Sequence, residues 1–112
     1  MQPEIAKLLL DMKNAVERIE RYVRGKAFVD YQNDDMLRSA VERQFEIIGE
    51  AMTRLTKIDP QFAQRISDYR KISGFRNALI HGYDSIDDKI SWGVITTKLG
   101  TLAKEIDALS KE

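Results

Sequence analysis

The chain contains no cysteine. Disulfides and thiolate metal sites are therefore excluded, and the composition suits a reducing compartment. Proline occurs only twice, so few positions forbid a helix. No apolar run approaches the roughly 20 residues that span a bilayer. The opening Met1-Gln2-Pro3-Glu4 lacks the basic and apolar stretches of a secretory signal. The expectation is a cytoplasmic protein that does not enter membranes. An excess of either charge is also missing, because 18 basic and 18 acidic side chains give a formal net charge of zero. Proteins that hold nucleic acid by field alone usually carry a basic surplus. Any contact with RNA here must rely on a local patch or a partner.

What is present favours helices. Leu, Ile, Ala, Glu, Lys and Arg dominate, with 43% hydrophobic and 32% charged residues. Ile5, Leu8, Leu9, Met12, Val16, Ile19 and Val23 recur at spacings of three and four. They predict an amphipathic helix over 3–24, stopped at Gly25. Residues 26–34 read as a connector with a short turn at 28–31, and Asn33 or Asp34 caps the next helix. That helix, over 35–57, carries a broad stripe of Leu37, Val41, Phe45, Ile47, Ile48, Ala51, Met52 and Leu55. Its width suggests contact with more than one neighbour. Gly49 sits inside it at a cost of about 1 kcal/mol relative to Ala.

Asp59-Pro60 supplies a cap and a first helical position. Phe62, Ile66, Tyr69 and Ile72 extend an apolar face, with Gly74 as the expected break. A further helical stretch runs through Phe75, Leu79 and Ile80 and ends near Gly82. Ser85 or Asp87 caps a last helix over 88–110. In it Ile90, Val94, Ile95, Leu99, Leu102, Ile106 and Leu109 are expected to face inward. The predicted fold is all-α, an antiparallel four- to five-helix bundle, with residues 1–112 forming one domain.

The chemistry concentrates in Phe75-Arg76-Asn77-Ala78-Leu79-Ile80-His81-Gly82-Tyr83, which holds the only histidine. On a helix, Asn77 and His81 lie one turn apart on one face. Arg76 and Tyr83, seven apart, nearly superpose. The set suits phosphodiester cleavage. Arg76 offers a planar, permanent cation to phosphate oxygens and to the charge that builds on them. His81 titrates near neutrality and can move a proton. RNA brings its own nucleophile in the 2′-hydroxyl, so no metal or other cofactor is required. One histidine per chain leaves the acid and base roles short of a group. A two-fold dimer would supply the second copy. Plainer roles fit the same residues: Arg76 as an ion-pair partner, Asn77 as a local cap, Tyr83 as a packed aromatic with its hydroxyl at the surface.

The run Arg76-Asn77-Ala78-Leu79-Ile80-His81-Gly82-Tyr83 resembles the Arg-x4-His-x-Tyr signature of the HEPN superfamily, and more narrowly the HepT-like toxins. The stretch from Ala40 to Ala51 is similar to the second-helix pattern of that family. Tyr69-Arg70-Lys71-Ile72-Ser73-Gly74-Phe75 resembles its lead-in, where Trp often replaces Tyr69. The resemblance implies a homodimeric, metal-independent endoribonuclease with Arg76 and His81 catalytic and Asn77 in support. It also implies a partner, an MntA-like nucleotidyltransferase antitoxin that transfers AMP to Tyr83. Adenylylation there would add bulk and negative charge where RNA phosphate must enter. An alternative reading is a non-catalytic, nucleotide-binding or regulatory subunit of a nucleotidyltransferase complex, which the zero net charge favours.

Other features have simpler readings. Glu42, Glu46 and Glu50 recur every four residues, and a salt-bridged face explains them better than a metal stripe. The resemblance gives Glu46, Ile48 and Gly49 a second use, lining the dimer interface or its cleft. Arg18, Arg21 and Arg24 close the first helix and complement its dipole, with RNA contact as the sharper possibility. Trp92 is expected in the core or an interface. The acidic run from Asp84 to Asp88 is expected to cap the last helix.

Overall fold

The computed structural model describes the backbone of residues 1–81 and 87–112, and the side chains of these except 76–81. The described residues form helices and no strands. Helix α1 spans Pro3–Val23, with Pro3 in its first turn. Ile5, Leu8, Leu9, Met12, Ala15, Val16 and Ile19 are buried along one face. Gly25 stops it with φ of 75°, the left-handed value that glycine adopts without a Cβ penalty. The expected connector contains a short helix, α2, over Phe28–Asn33. The Asp30 carboxylate accepts the Ala27 N–H at 2.8 Å, and Tyr31 is wholly buried.

Helix α3, Asp35–Ile58, is the central element. Asp34 caps it by accepting the Leu37 N–H at 3.0 Å, an arrangement worth about 1 kcal/mol. Its wide stripe packs against α1 on one side and α5 on the other, so the breadth of the stripe reflects two neighbours within the chain. Gly49 is buried within it. Asp59 caps the next turn through the Phe62 N–H at 3.0 Å, and α4 covers only Pro60–Ala63.

The expected break at Gly74 lies elsewhere. The chain leaves the helix after Ala63, and α5 then runs unbroken from Tyr69 through Gly74 to His81. The cause is local to residues 64–68. Asp68 has a φ of 61°, which a helix interior does not admit. The Ser67 N–H is taken by the Glu105 carboxylate at 2.7 Å, while Ile66 turns into the core. Gly74 is exposed and simply accepts helical angles.

The last predicted helix is two. Helix α6, Asp88–Thr97, is capped by Asp87, which accepts the Lys89 N–H at 2.7 Å, and α7 spans Leu99–Ser110. The hydroxyls of Thr96 and Thr97 donate back to carbonyls of the preceding turn, Thr97 to Gly93 at 2.6 Å. Such back-bonding bends helices, and here the chain breaks at Lys98. Leu99, Leu102, Ile106 and Leu109 face the core as expected, whereas Ile90 is 55% exposed. Among the described residues, no helix is long and apolar enough to cross a membrane.

Candidate active site

Arg76, Asn77 and His81 lie on the last two turns of α5. Tyr83 lies outside the described residues, as do the possible cap Ser85 and the first part of the acidic run. The backbone register of α5 sorts the three positions. Asn77 and His81 stand seven residues after Arg70 and Gly74, two turns further along the same strip. Arg70 and Gly74 are exposed. A Cβ built on Gly74 meets nothing within 4 Å, so the strip is open at that point. Arg76 occupies the neighbouring register, seven residues after the half-buried Tyr69. The helix thus brings Asn77 and His81 onto one strip and sets Arg76 beside it.

Side chains around this helix explain how it is held. Phe75, which precedes Arg76, meets Phe45 of α3 edge to face, with ring centroids 5.0 Å apart and planes at 82°. Aromatic pairs in this geometry stabilise by about 0.5–1.5 kcal/mol beyond their burial. Ile72 packs on the same core. Arg70 lies over the Tyr69 ring at 5.5 Å. The helix is therefore anchored by one face through Ile72 and Phe75.

The chain beyond residues 82–86 is anchored separately. Trp92 packs on Tyr31 at 5.4 Å and on Phe28 at 6.5 Å, half-buried against the core rather than within it. Arg38 of α3 faces Asp88 at 3.8 Å. Burial pushes the Tyr31 phenol up to about 12, with the neighbouring Ser91 acting in the opposite direction. The Tyr31 and Ser91 hydroxyls are both buried, and neither has a partner in hydrogen-bond geometry among the described residues. Burial, and next the Asp88 carboxylate, raise the Glu42 carboxyl above its ordinary range. No local pattern foretells this cluster, because Tyr31, Arg38, Glu42, Asp88 and Ser91 meet only through tertiary packing.

The glutamate series divides accordingly. Glu46 pairs with Arg43 at 3.2 Å and Glu50 with Arg54 at 3.0 Å, the salt-bridged face that the spacing suggested. Glu42 belongs to the Arg38–Asp88 cluster. Among the described residues, no group of three or more His, Cys, Asp or Glu is placed to hold a metal ion. Of the basic run, Arg18 reaches the buried Gln44 at 3.4 Å, and Arg21 lies over Tyr22 at 5.7 Å.

A family model described as ribonuclease HepT-like matches residues 12–109. The chain belongs to the HepT-like ribonuclease family. That membership agrees with the resemblance carried by the octet from Arg76 to Tyr83, and it brings the endoribonuclease assignment with it. Relatives match over nearly full length. A Caldanaerobacter subterraneus protein named "Putative RNase TTE0752" is 32% identical over 114 residues, covering 99% of this chain and 96% of the relative. A Thermococcus cleftensis protein named "Probable ribonuclease HepT" is 30% identical over 103 residues, covering 92% and 93%. A Methanocaldococcus jannaschii protein named "Putative RNase MJ1380" is 26% identical, covering 93% and 94%. No solved structure matches the chain.

Proposed function

We propose that this HepT-like chain is the ribonuclease toxin of a toxin–antitoxin pair, acting as a two-fold dimer without metal. The observation that carries the proposal is the placement of Arg76, Asn77 and His81 on the final turns of α5, in a chain of this ribonuclease family. Arg76 binds the scissile phosphate and stabilises the charge of the transition state. His81 takes the proton of the 2′-hydroxyl, which attacks the adjacent phosphorus and expels the 5′-oxygen. The products are a 2′,3′-cyclic phosphate and a 5′-hydroxyl. The His81 of a second protomer returns a proton to the leaving oxygen, and Asn77 orients the imidazole or the phosphate. Residues 1–112 act as one HEPN-like domain.

Regulation in this proposal falls on Tyr83. A nucleotidyltransferase antitoxin moves AMP from ATP to the phenol and releases pyrophosphate. The added phosphodiester charge and the adenosine then exclude RNA phosphate from the cleft.

The experiment is cleavage of a defined RNA by purified protein in excess EDTA, with analysis of the product ends and light scattering for mass. Cyclic-phosphate ends from a dimer are expected. A requirement for metal, or activity confined to a monomer, contradicts the proposal. With antitoxin and ATP, the peptide containing Tyr83 should gain the mass of AMP, and Tyr83→Phe should not. The zero net charge favours one second reading, a non-catalytic nucleotide-binding subunit. Tight ATP binding without RNA cleavage would select it.

A further inference from the structure

Between α3, α5 and the α6–α7 junction lies a cavity of about 360 Å³. Its wall is apolar, built from Phe45 and Ile48 of α3, Ile72 and Phe75 of α5, and Leu99 and Leu102 of α7. Its rim is charged, with Lys71, Lys98 and Asp68. The Lys98 ammonium stands 3.5 Å from the Asp68 carboxylate, and both side chains are well exposed. This ion pair joins Asp68, at φ of 61°, to Lys98, where α6 gives way to α7.

The cavity is distinct from the candidate catalytic strip. On α5 it is lined by positions 71, 72 and 75. Positions 70, 74, 77 and 81 lie roughly 140° further round the helix. An apolar interior with a few polar groups at the mouth is the usual form of a small-molecule site. Its volume limits the occupant. A methylene takes up about as much space as a water molecule, roughly 30 Å³, so an apolar body of about ten carbons fills it. Its charge selects the head group. Lys71, Lys98 and Asp68 line the mouth, and the nearby Glu105 carboxylate is taken up by the Ser67 N–H at 2.7 Å. An exposed ion pair such as Lys98–Asp68 is weak, so an incoming anion can take the place of Asp68 on Lys98.

We propose that this cavity binds a small amphipathic anion, with its apolar body against Phe45 and Phe75 and its carboxylate between Lys71 and Lys98. The proposal is independent of the ribonuclease reading, since nothing in it depends on Arg76, His81 or Tyr83.

Titration calorimetry of the full chain with decanoate, below its micelle concentration, tests it. One decanoate per chain is expected, with decanol at least about tenfold weaker. The double variant Lys71→Gln/Lys98→Gln should weaken decanoate by about tenfold and leave decanol unchanged. Thr101→Trp, at an exposed position of the lining, should abolish binding of both without touching the core. Absence of saturable decanoate binding overturns the proposal, as does decanol binding equally well. Light scattering supplies the remaining arm. If Thr101→Trp converts an oligomer to a monomer, a second copy covers the cavity and the small-molecule assignment is wrong.

Discussion

Helices α1 and α5 both pack on α3, yet they are built on different plans. α1 buries seven apolar side chains along one face and shows mainly charged and polar groups outside, Leu10 being the large apolar exception. Of the described side chains of α5, Tyr69, Ile72 and Phe75 are half-buried against the core, and Gly74 stands in open space on the exposed side. One helix is optimised for burial. The other gives up helix propensity and packing along a strip that leads to Asn77 and His81. Under the proposed function the contrast is one of scaffold against working surface, and it can be tested from its strongest consequence downward.

The largest stability effect should come from the scaffold. Met52 is fully buried in α3, and Met52→Ala should cost about 2–5 kcal/mol in urea unfolding, with cleavage by the remaining folded protein unchanged. A loss well under 1 kcal/mol would mean that the α1–α3 pairing is not the core of the fold. Removing a helix cap comes next. Asp34→Ala frees the Leu37 N–H and should cost about 1 kcal/mol, lowering the thermal midpoint by about 4 °C.

The smaller effects sharpen the contrast. Gly74→Ala adds a methyl group to open space and should stabilise the helix by about 0.5–1 kcal/mol. If the strip approaches RNA or a second protomer closely, the same variant loses cleavage while its midpoint rises. A rise in both would make the glycine incidental. Alkaline titration probes the cluster beside α6. Folding favours the neutral Tyr31 phenol, which is pushed up to about 12 by burial. Its contribution is therefore complete below pH about 10, the ordinary tyrosine value, and is lost as pH climbs toward 12. Tyr31→Phe should flatten the stability profile in that window, because it removes the titrating hydroxyl.

How far the sequence disclosed this molecule depended on range. Apolar periodicity located α1 and α3 to within a residue or two, and Asp34, Asp59 and Asp87 marked helix starts by side chains that reach only three residues or fewer. Breaks were harder. Gly74 looked like an interruption but lies mid-helix, whereas Asp68 adopts the left-handed backbone that the sequence did not announce. The last helix is interrupted at Lys98, just after two threonine hydroxyls donate back to the preceding turn, and Ile90, counted with the inward residues, stands exposed. The candidate site was legible as an octet of residues along one chain segment. The cavity and the Tyr31–Ser91–Asp88 cluster were not, because each is assembled from helices distant in sequence.

What most needs testing is the proposal that His81, at the end of α5, acts in the chemistry. The direct measurement is RNA cleavage together with thermal midpoint for His81→Ala, beside the unaltered protein, in EDTA. Cleavage should fall by at least about a hundredfold while the midpoint moves by no more than about 2 °C. Undiminished cleavage, or a loss of activity matched by unfolding at the assay temperature, would contradict the account.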